Sequence, residues 1–365
     1  MKPMLMLLAA LLLPGLAEAR TIRVGPQGDV ELPSEAARIA KDGDVIEIAA
    51  QDFVGDVAVW RADRLTIRGT GGRPRLEAGG QAAEGKAIWV IKGDGVTVEN
   101  IAFAGAKVRD KNGAGIRAQG RDLTVRDCLF DGNQNGILAH DNAGSVILVE
   151  RSEFKDSGAG DGHSHGIYVN KVERLVFRHN WVHGTRIGHH VKTRARENLI
   201  LHNRLEDGPD GAASYAVDMP NGHLGVVVGN VMHKGPNAEN RAVVNFIAPV
   251  ARPGAALHLI NNTVVGERRG VLLANRSPIE ADLRNNLIIG ALELVDGRGG
   301  GGGNLTAQPS DLGREYALRG GAAAIDSGVA IEVDSLRPKS EYVHPLGARP
   351  RVTKGPLDVG AFECP

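Results

Sequence analysis

Short runs of alternating apolar and polar residues recur along the chain. Each is closed by an Asn or a small residue and then a turn. They read VTVENIAF from Val96, LTVRDCLF from Leu123, ILVERSEF from Ile147, LVFRHNWV from Leu175, LILHNRLE from Leu199, GVVVGNVM from Gly225, LHLINNTV from Leu257 and DLRNNLII from Asp282. Their starts fall roughly 24 to 33 residues apart. Period-two alternation predicts a strand with one buried face. One such strand per unit predicts a solenoid, because a unit of this size cannot bury its apolar face alone. A second strand recurs between the first ones: GIRAQ from Gly115, GILAH from Gly136, GIYVN from Gly166, GHHVK from Gly188, YAVD from Tyr215 and VVN from Val243.

Strands that pair with their counterparts in the next unit form parallel sheets, with coils about 4.8 Å apart. The expected fold is therefore all-β, a single right-handed parallel β-helix. Asn180, Asn203, Asn230, Asn262 and Asn286 take one place in successive units, with Cys128 and Ser152 there in earlier ones. Asn tolerates the left-handed conformation at a sharp corner, and stacked amides hydrogen-bond from coil to coil. LPSEAARIAKDGDVIEIA from Leu32 reads as a short helix and a strand, a cap for the open N-terminal end. The expected organisation is a signal peptide over 1–19, a cap with first coils over 20–60, the β-helix over 61–320, and a C-terminal segment over 321–365.

Composition sharpens this picture. Gly supplies 49 of 365 residues and aromatics only 4%, about twice the average glycine share. Lys2, the apolar run Leu5 to Leu13 and Ala17-Glu18-Ala19 read as a secretory signal cleaved near Ala19. That run is too short for a membrane span, and no other stretch is long enough. An exported protein, periplasmic or secreted, is expected. Basic and acidic residues number 43 each, and the leader removes one of each. So balanced a charge argues against a nucleic-acid or membrane partner, leaving any anion to a local patch. Two distant cysteines, Cys128 and Cys364, are no disulfide framework, and Cys128 reads as a small buried residue.

Such a patch exists in RIGHHVKTRAR, Arg186 to Arg196. Alternation in the second strand sends Ile116, Ala118, Ile137, Ala139, Ile167, Val169, Val191 and Val217 inward. The opposite face is expected to carry two columns. One is Arg117, Leu138, Tyr168, His190, Ala216 and Val243. The other is Gln119, His140, Asn170, Lys192, Asp218 and Asn245. They meet in a patch of Tyr168, Asn170, His190, Lys192 and Asp218, while His189 falls on the inward side and reads as a core residue. The loop DGHSHG puts His163 and His165 just ahead of Tyr168, and ten of the twelve histidines lie between His140 and His233. Imidazole is the side chain most readily set up for proton transfer near neutral pH.

A basic strip in a neutral chain suits an acidic polysaccharide. In a uronate polymer the proton beside the carboxylate is weakly acidic. Removing it needs that carboxylate neutralised, a base, and an acid for the leaving oxygen. Arg194 and Arg196, or a Ca²⁺ held by Asp218, supply the first. Lys192 is the preferred base and His190 its rival. Tyr168 or His165 supplies the acid, and Asn170, His140 and Asn245 stand by as further substrate contacts. Cationic neighbours lower a lysine pKa while Asp218 raises it, a balance the sequence leaves open. A glycoside hydrolase needs two carboxylates at a set separation. Of Asp161, Asp207, Asp210 and Asp218, only Asp218 falls in these columns. A uronate epimerase shares the proton abstraction, and a non-catalytic glycan-binding or envelope protein shares only the surface.

The stretches NGAGIRAQG, HSHGIYVN, GHHVKTRA and YAVDMPNG, with the tail segments AAAIDSG and GPLDVGAFE, resemble an exported bacterial branch of the pectate-lyase-like, pectin-lyase-fold superfamily. The resemblance extends over nearly all of the mature chain and implies the right-handed β-helix. The lyases of that superfamily use basic residues on this kind of face. The resemblance therefore implies a polysaccharide lyase acting by β-elimination, with hydrolase, epimerase and binding protein left open, since one fold hosts them all. A solenoid buries its core within one chain, so a monomer is expected.

Overall fold

The first strand of each unit enters a twelve-stranded sheet in the computed structural model, which describes residues 19–208 and 210–364. The sheet runs from Thr21–Val24 to Gly299–Gly300, and each strand pairs in parallel with its counterparts one coil up and down. The remaining coil strands make two further faces. In each coil a three-residue strand such as Glu153–Lys155 or Trp181–His183 is followed, after a loop, by a strand such as Ile167–Val169 or His189–Thr193. These two faces fuse only where Thr263–Arg276 and Leu287–Gly297 turn the corner without a break. The product is a three-sided parallel solenoid. Of the expected signal peptide, residues 1–18 lie outside the described residues.

The core runs along the axis. All eight side chains expected to point inward, from Ile116 to Val217, are at most 3% exposed. Trp60, Trp89, Phe103, Phe130, Phe154 and Phe177 touch in series, with ring centroids 4.6 to 5.8 Å apart. Each such burial contributes roughly 1.5–3 kcal/mol. These rings explain the glycine that opens the second strand. A Cβ at Gly115 would lie 2.8 Å from Phe130, and one at Gly136 2.5 Å from Phe154. Glycine is needed there because the ring occupies the space.

The amide column forms as expected. The backbone N–H of Asn180, Asn203, Asn230 and Asn262 each donates to the side-chain oxygen of the next Asn, at 2.9 to 3.2 Å, and the ladder continues through Asn286 to Asn304. Ser152 extends it the other way, taking the Cys128 N–H and donating its own to Asn180. The corner conformation falls elsewhere than expected. The left-handed residue is the one before the ladder position: Asp127, Arg151, His179, His202, Asn261 and Asn285 all have φ of 47 to 56°. The ladder amides are held for their hydrogen bonds, not for their φ.

The helix Pro33–Ile39 closes the N-terminal end, with Ala36 fully buried against the core. The Glu35 carboxylate takes the N–H groups of Leu32 and Glu31 at its start. Beyond the last coil strand, Leu305–Ala307, the chain turns back along the outside. It is anchored there by Asn261 Nδ2 donating to the carbonyls of Asp358 and Gly360, and by Ala361 N donating to Thr263 Oγ1. Cys128 and Cys364 are both free thiols.

Candidate functional site

The strand register decides which side chains meet. Tyr168 pairs with Lys192, Lys192 with Asp218, and Asp218 with Asn245. One outward column therefore reads Arg117, Leu138, Tyr168, Lys192, Asp218, Asn245. The two columns expected from simple alternation are merged and shifted by two residues. The cause is local. Two consecutive residues of each strand, such as His190 and Val191, are both buried, so outward positions are three apart rather than two. The second outward column accordingly runs Ala114, Asn135, His165, His189, Tyr215.

This reverses the two histidines. His190, expected outward, is 1% exposed. Its Nδ1 meets Thr185 Oγ1 at 2.9 Å, and its Nε2 lies 3.1 Å from Asp207 Oδ1, off the line of a good hydrogen bond. It has no path to a substrate on this face. His189, expected in the core, joins the site. Its Nε2 lies 3.3 Å from Asp218 Oδ2, and its ring stacks on His165 at 4.7 Å and leans on Tyr215 at 5.0 Å. A Cβ at Gly188 would lie 2.1 Å from the Ser164 carbonyl, so Gly188 matches Ser164 and not Gly166. The sequence gives no sign of that offset, because both runs open on a glycine, Gly166 and Gly188.

Asp218 is the hub. Asn245 Nδ2 donates to its Oδ1 at 2.7 Å, and Lys192 Nζ lies 3.6 Å from its Oδ2. Burial raises the Asp218 pKa, against the lowering pull of the Asn245 hydrogen bond and of Lys192 and Arg194. Lys192 Nζ sits 5.3 Å over the Tyr168 ring. Arg194 donates from Nε to the Tyr168 hydroxyl at 2.9 Å and from a terminal nitrogen to Asn221. Burial, then the charge of Lys192 and other neighbours, pushes His189 down to about 3. Burial followed by His189 and Lys192 holds His165 well below its usual value. Both rings are thus neutral at ordinary pH. His165 Nδ1 accepts the His189 backbone N–H at 3.1 Å, which places its proton on Nε2.

The other expected contacts separate. Asn170 Nδ2 caps the Ala139 carbonyl at 2.9 Å. His140 receives a hydrogen bond from Arg117 Nε at 2.7 Å, two coils before Lys192. Arg196 is held by Glu173 and Glu197 at the surface, so much of its charge is already matched. It still borders a groove of about 540 Å³ beside the site, with Lys171, Arg194, His223 and Arg252. Among the described residues Glu173 is the one carboxylate bordering it. His163 stays on an exposed loop. The donor set around Asp218 does not suit Ca²⁺, which takes six to eight oxygens. Here a single carboxylate faces Lys192 and His189, and no group of three or more His, Cys, Asp or Glu among the described residues is placed to hold a metal.

Comparison with known proteins agrees with this architecture. Residues 82–205 match the family model described as a right handed beta helix region. The fold is the right-handed parallel β-helix. The solved structure of pectate lyase Pel9A superposes with a TM-score of 0.61 at 14% identity, covering 96% of this chain and 97% of that one. The alginate lyase from Paenibacillus sp. str. FPU-7 superposes at 0.55 with 18% identity, covering 77% and 99%. At such identities the likeness shows the β-helix alone. A search of curated protein sequences gives no match. No helix among the described residues is long and apolar enough to cross a membrane.

Proposed function

We propose that this β-helix protein is a polysaccharide lyase that cleaves a uronate-containing glycan by β-elimination. The observation that carries the reading is the row Tyr168, Lys192, Asp218 and Asn245 on successive coils, with Arg194 bonded to the Tyr168 hydroxyl at the edge of a basic groove. Lys192, as the amine, takes the proton from the carbon beside the carboxylate. The electron pair forms the new double bond, and the bond to the glycosidic oxygen breaks. Tyr168 protonates that oxygen, and Arg194 Nε stabilises the phenolate left behind. The remaining guanidinium donors of Arg194 face the uronate carboxylate. Asn245 and His189 hold Asp218, which orients Lys192.

Hydrolysis fits less well. It needs two carboxylates flanking the bond, and among the described residues Asp218 is the one carboxylate in the outward column from Arg117 to Asn245. Inversion of the same carbon by an epimerase would share the first proton transfer. We read residues 1–19 as an export signal, and the mature chain as a monomer. The test is ultraviolet absorbance of unsaturated uronate from a panel of acidic polysaccharides, with Lys192→Ala beside the wild type. Rising absorbance that the substitution abolishes supports the reading. A flat trace with reducing ends released moves the function to hydrolysis.

A further inference from the structure

A second basic pocket lies across the same face from the groove. The groove is built by the loops that leave the Lys192 face, and this pocket by the loops that enter it. It has a volume of about 290 Å³ and is bordered by Lys107, Lys111 and Arg186 over a floor of Gly132, Gly158 and Gly160. Lys111 has Asp161 at 3.7 Å. Among the described residues Lys107 has no carboxylate within salt-bridge reach, and the Arg186 side chain donates to the Asp156 carbonyl alone. Two buried polar atoms of residues adjacent in sequence to the lining lack partners among the described residues: Ser157 Oγ, beside Gly158, and Asn135 Nδ2, beside Gln134. Gly132 and Gly160 have open space where a Cβ would stand, so a ligand can approach the backbone there, whereas Gly158 is packed against the Arg186 backbone.

The face between the two pockets is the one that carries Tyr168 and Lys192. Toward the N-terminal end its outward positions are Ala87, Val90, Ala114, Arg117, Asn135 and Leu138, of which all but Arg117 are at most 6% exposed. A polymer at Lys192 can lie along the strands. That path leads from the groove at Arg194 to the pocket at Arg186. The strand advances about 3.3 Å per residue, so the six residues from Arg186 to Lys192 span at most about 20 Å, a reach of several sugar units.

We infer that the Lys107–Lys111–Arg186 pocket is a distal subsite for an acidic sugar of the same polymer that occupies the Lys192 site. The inference rests on the uronate reading above. It makes the protein a reader of chain length, binding oligomers that reach both pockets more tightly than those that reach one.

The experiment uses Lys192→Ala protein, so that binding is read without turnover. Calorimetry would compare dimers and hexamers of galacturonate and of mannuronate, with and without Lys107→Gln and Arg186→Gln. Removing two exposed cations is expected to weaken hexamer binding by about tenfold, to leave dimer binding unchanged, and to flatten its dependence on salt. Unchanged hexamer affinity, with affinity lost on Arg194→Gln, would overturn the distal subsite while the uronate site stands. Equal weakening of dimer and hexamer would also overturn it, since the pocket would then act as general field and not as a subsite. No binding of any uronate oligomer to the parent protein would remove the uronate reading and this inference together.

Discussion

Replacing Asn230 by Ala tests how much of the solenoid's stability resides in its amide ladder. The Asn230 side-chain oxygen accepts the Asn203 backbone N–H and Asn203 Nδ2, both at 2.9 Å, and its nitrogen donates to the Ile200 carbonyl at 2.8 Å and Asn262 Oδ1 at 3.0 Å. All of this happens at 0% exposure for Asn203, Asn230 and Asn262. Alanine leaves the Asn203 N–H buried without its acceptor, at a cost of about 1–3 kcal/mol, and each further lost bond adds about 1 kcal/mol. The expected total is about 5 kcal/mol, a large share of the stability of a typical domain. Asn304 supplies the control. It makes similar bonds, to Asn286 and to the Leu283 carbonyl, but it ends the ladder and is partly exposed. Water can replace those partners, so Asn304→Ala is expected to cost about 1–2 kcal/mol. Urea unfolding followed by circular dichroism measures both. Equal losses at Asn230 and Asn304 would refute the argument that burial, and not bond number, sets the cost.

Lys192→Ala is expected to lower elimination by about 10²- to 10⁴-fold, the range for a positioned acid or base, with an unchanged circular dichroism spectrum. Arg194→Lys keeps the charge but loses the directed bond to Tyr168. Activity should fall tenfold or more, with kcat affected more than KM, as steady-state kinetics would show. His189 and His202 are both pushed down to about 3 from 6.5 by burial first. The unfolded chain therefore binds protons that the folded chain refuses. Stability is full above pH 6.5 and is lost as pH falls toward 3, by about 2 kcal/mol per ring at pH 5. A thermal melt series across that window should show the decline, and His202→Gln should make it shallower. Cys128 is fully buried with its thiol pushed up to about 12, so a thiol reagent on the native protein should label Cys364 only, as a mass spectrum of the adduct would reveal.

The parts legible in the sequence are those where one residue type answers to one physical demand. The inward column from Ile116 to Val217 follows from alternation, and the ladder follows from an amide repeated at one place. The site was only half legible, because alternation fails where the strand buries His190 and Val191 together. The structure brings Tyr168, Lys192, Asp218, Asn245 and Arg194 together. Alternation puts Tyr168 in one column and Lys192, Asp218 and Asn245 in the other, and it exchanges His189 with His190. The glycine contacts give the reason. Gly115 and Gly136 lie against Phe130 and Phe154 at distances that exclude a side chain. Gly166 faces the smaller Val182, with its added Cβ still only 2.9 Å away. One coil on, His190 fills the equivalent place. It must therefore align with Gly166, which moves Lys192 beside Tyr168. Aligning GHHVK to GIYVN on its glycine was the error, since Gly188 is fixed by the Ser164 carbonyl in the loop before. The functional consequence is direct. With the corrected register, the basic strip splits into residues with different tasks. His190 goes to the buried Asp207, His189 and Lys192 go to Asp218, and Arg194 goes to the Tyr168 hydroxyl. An uninterrupted basic surface would attract any polyanion. Under the lyase reading proposed above, Lys192 assigned to Asp218 and Arg194 assigned to the Tyr168 hydroxyl would distinguish where along a uronate chain a proton is taken.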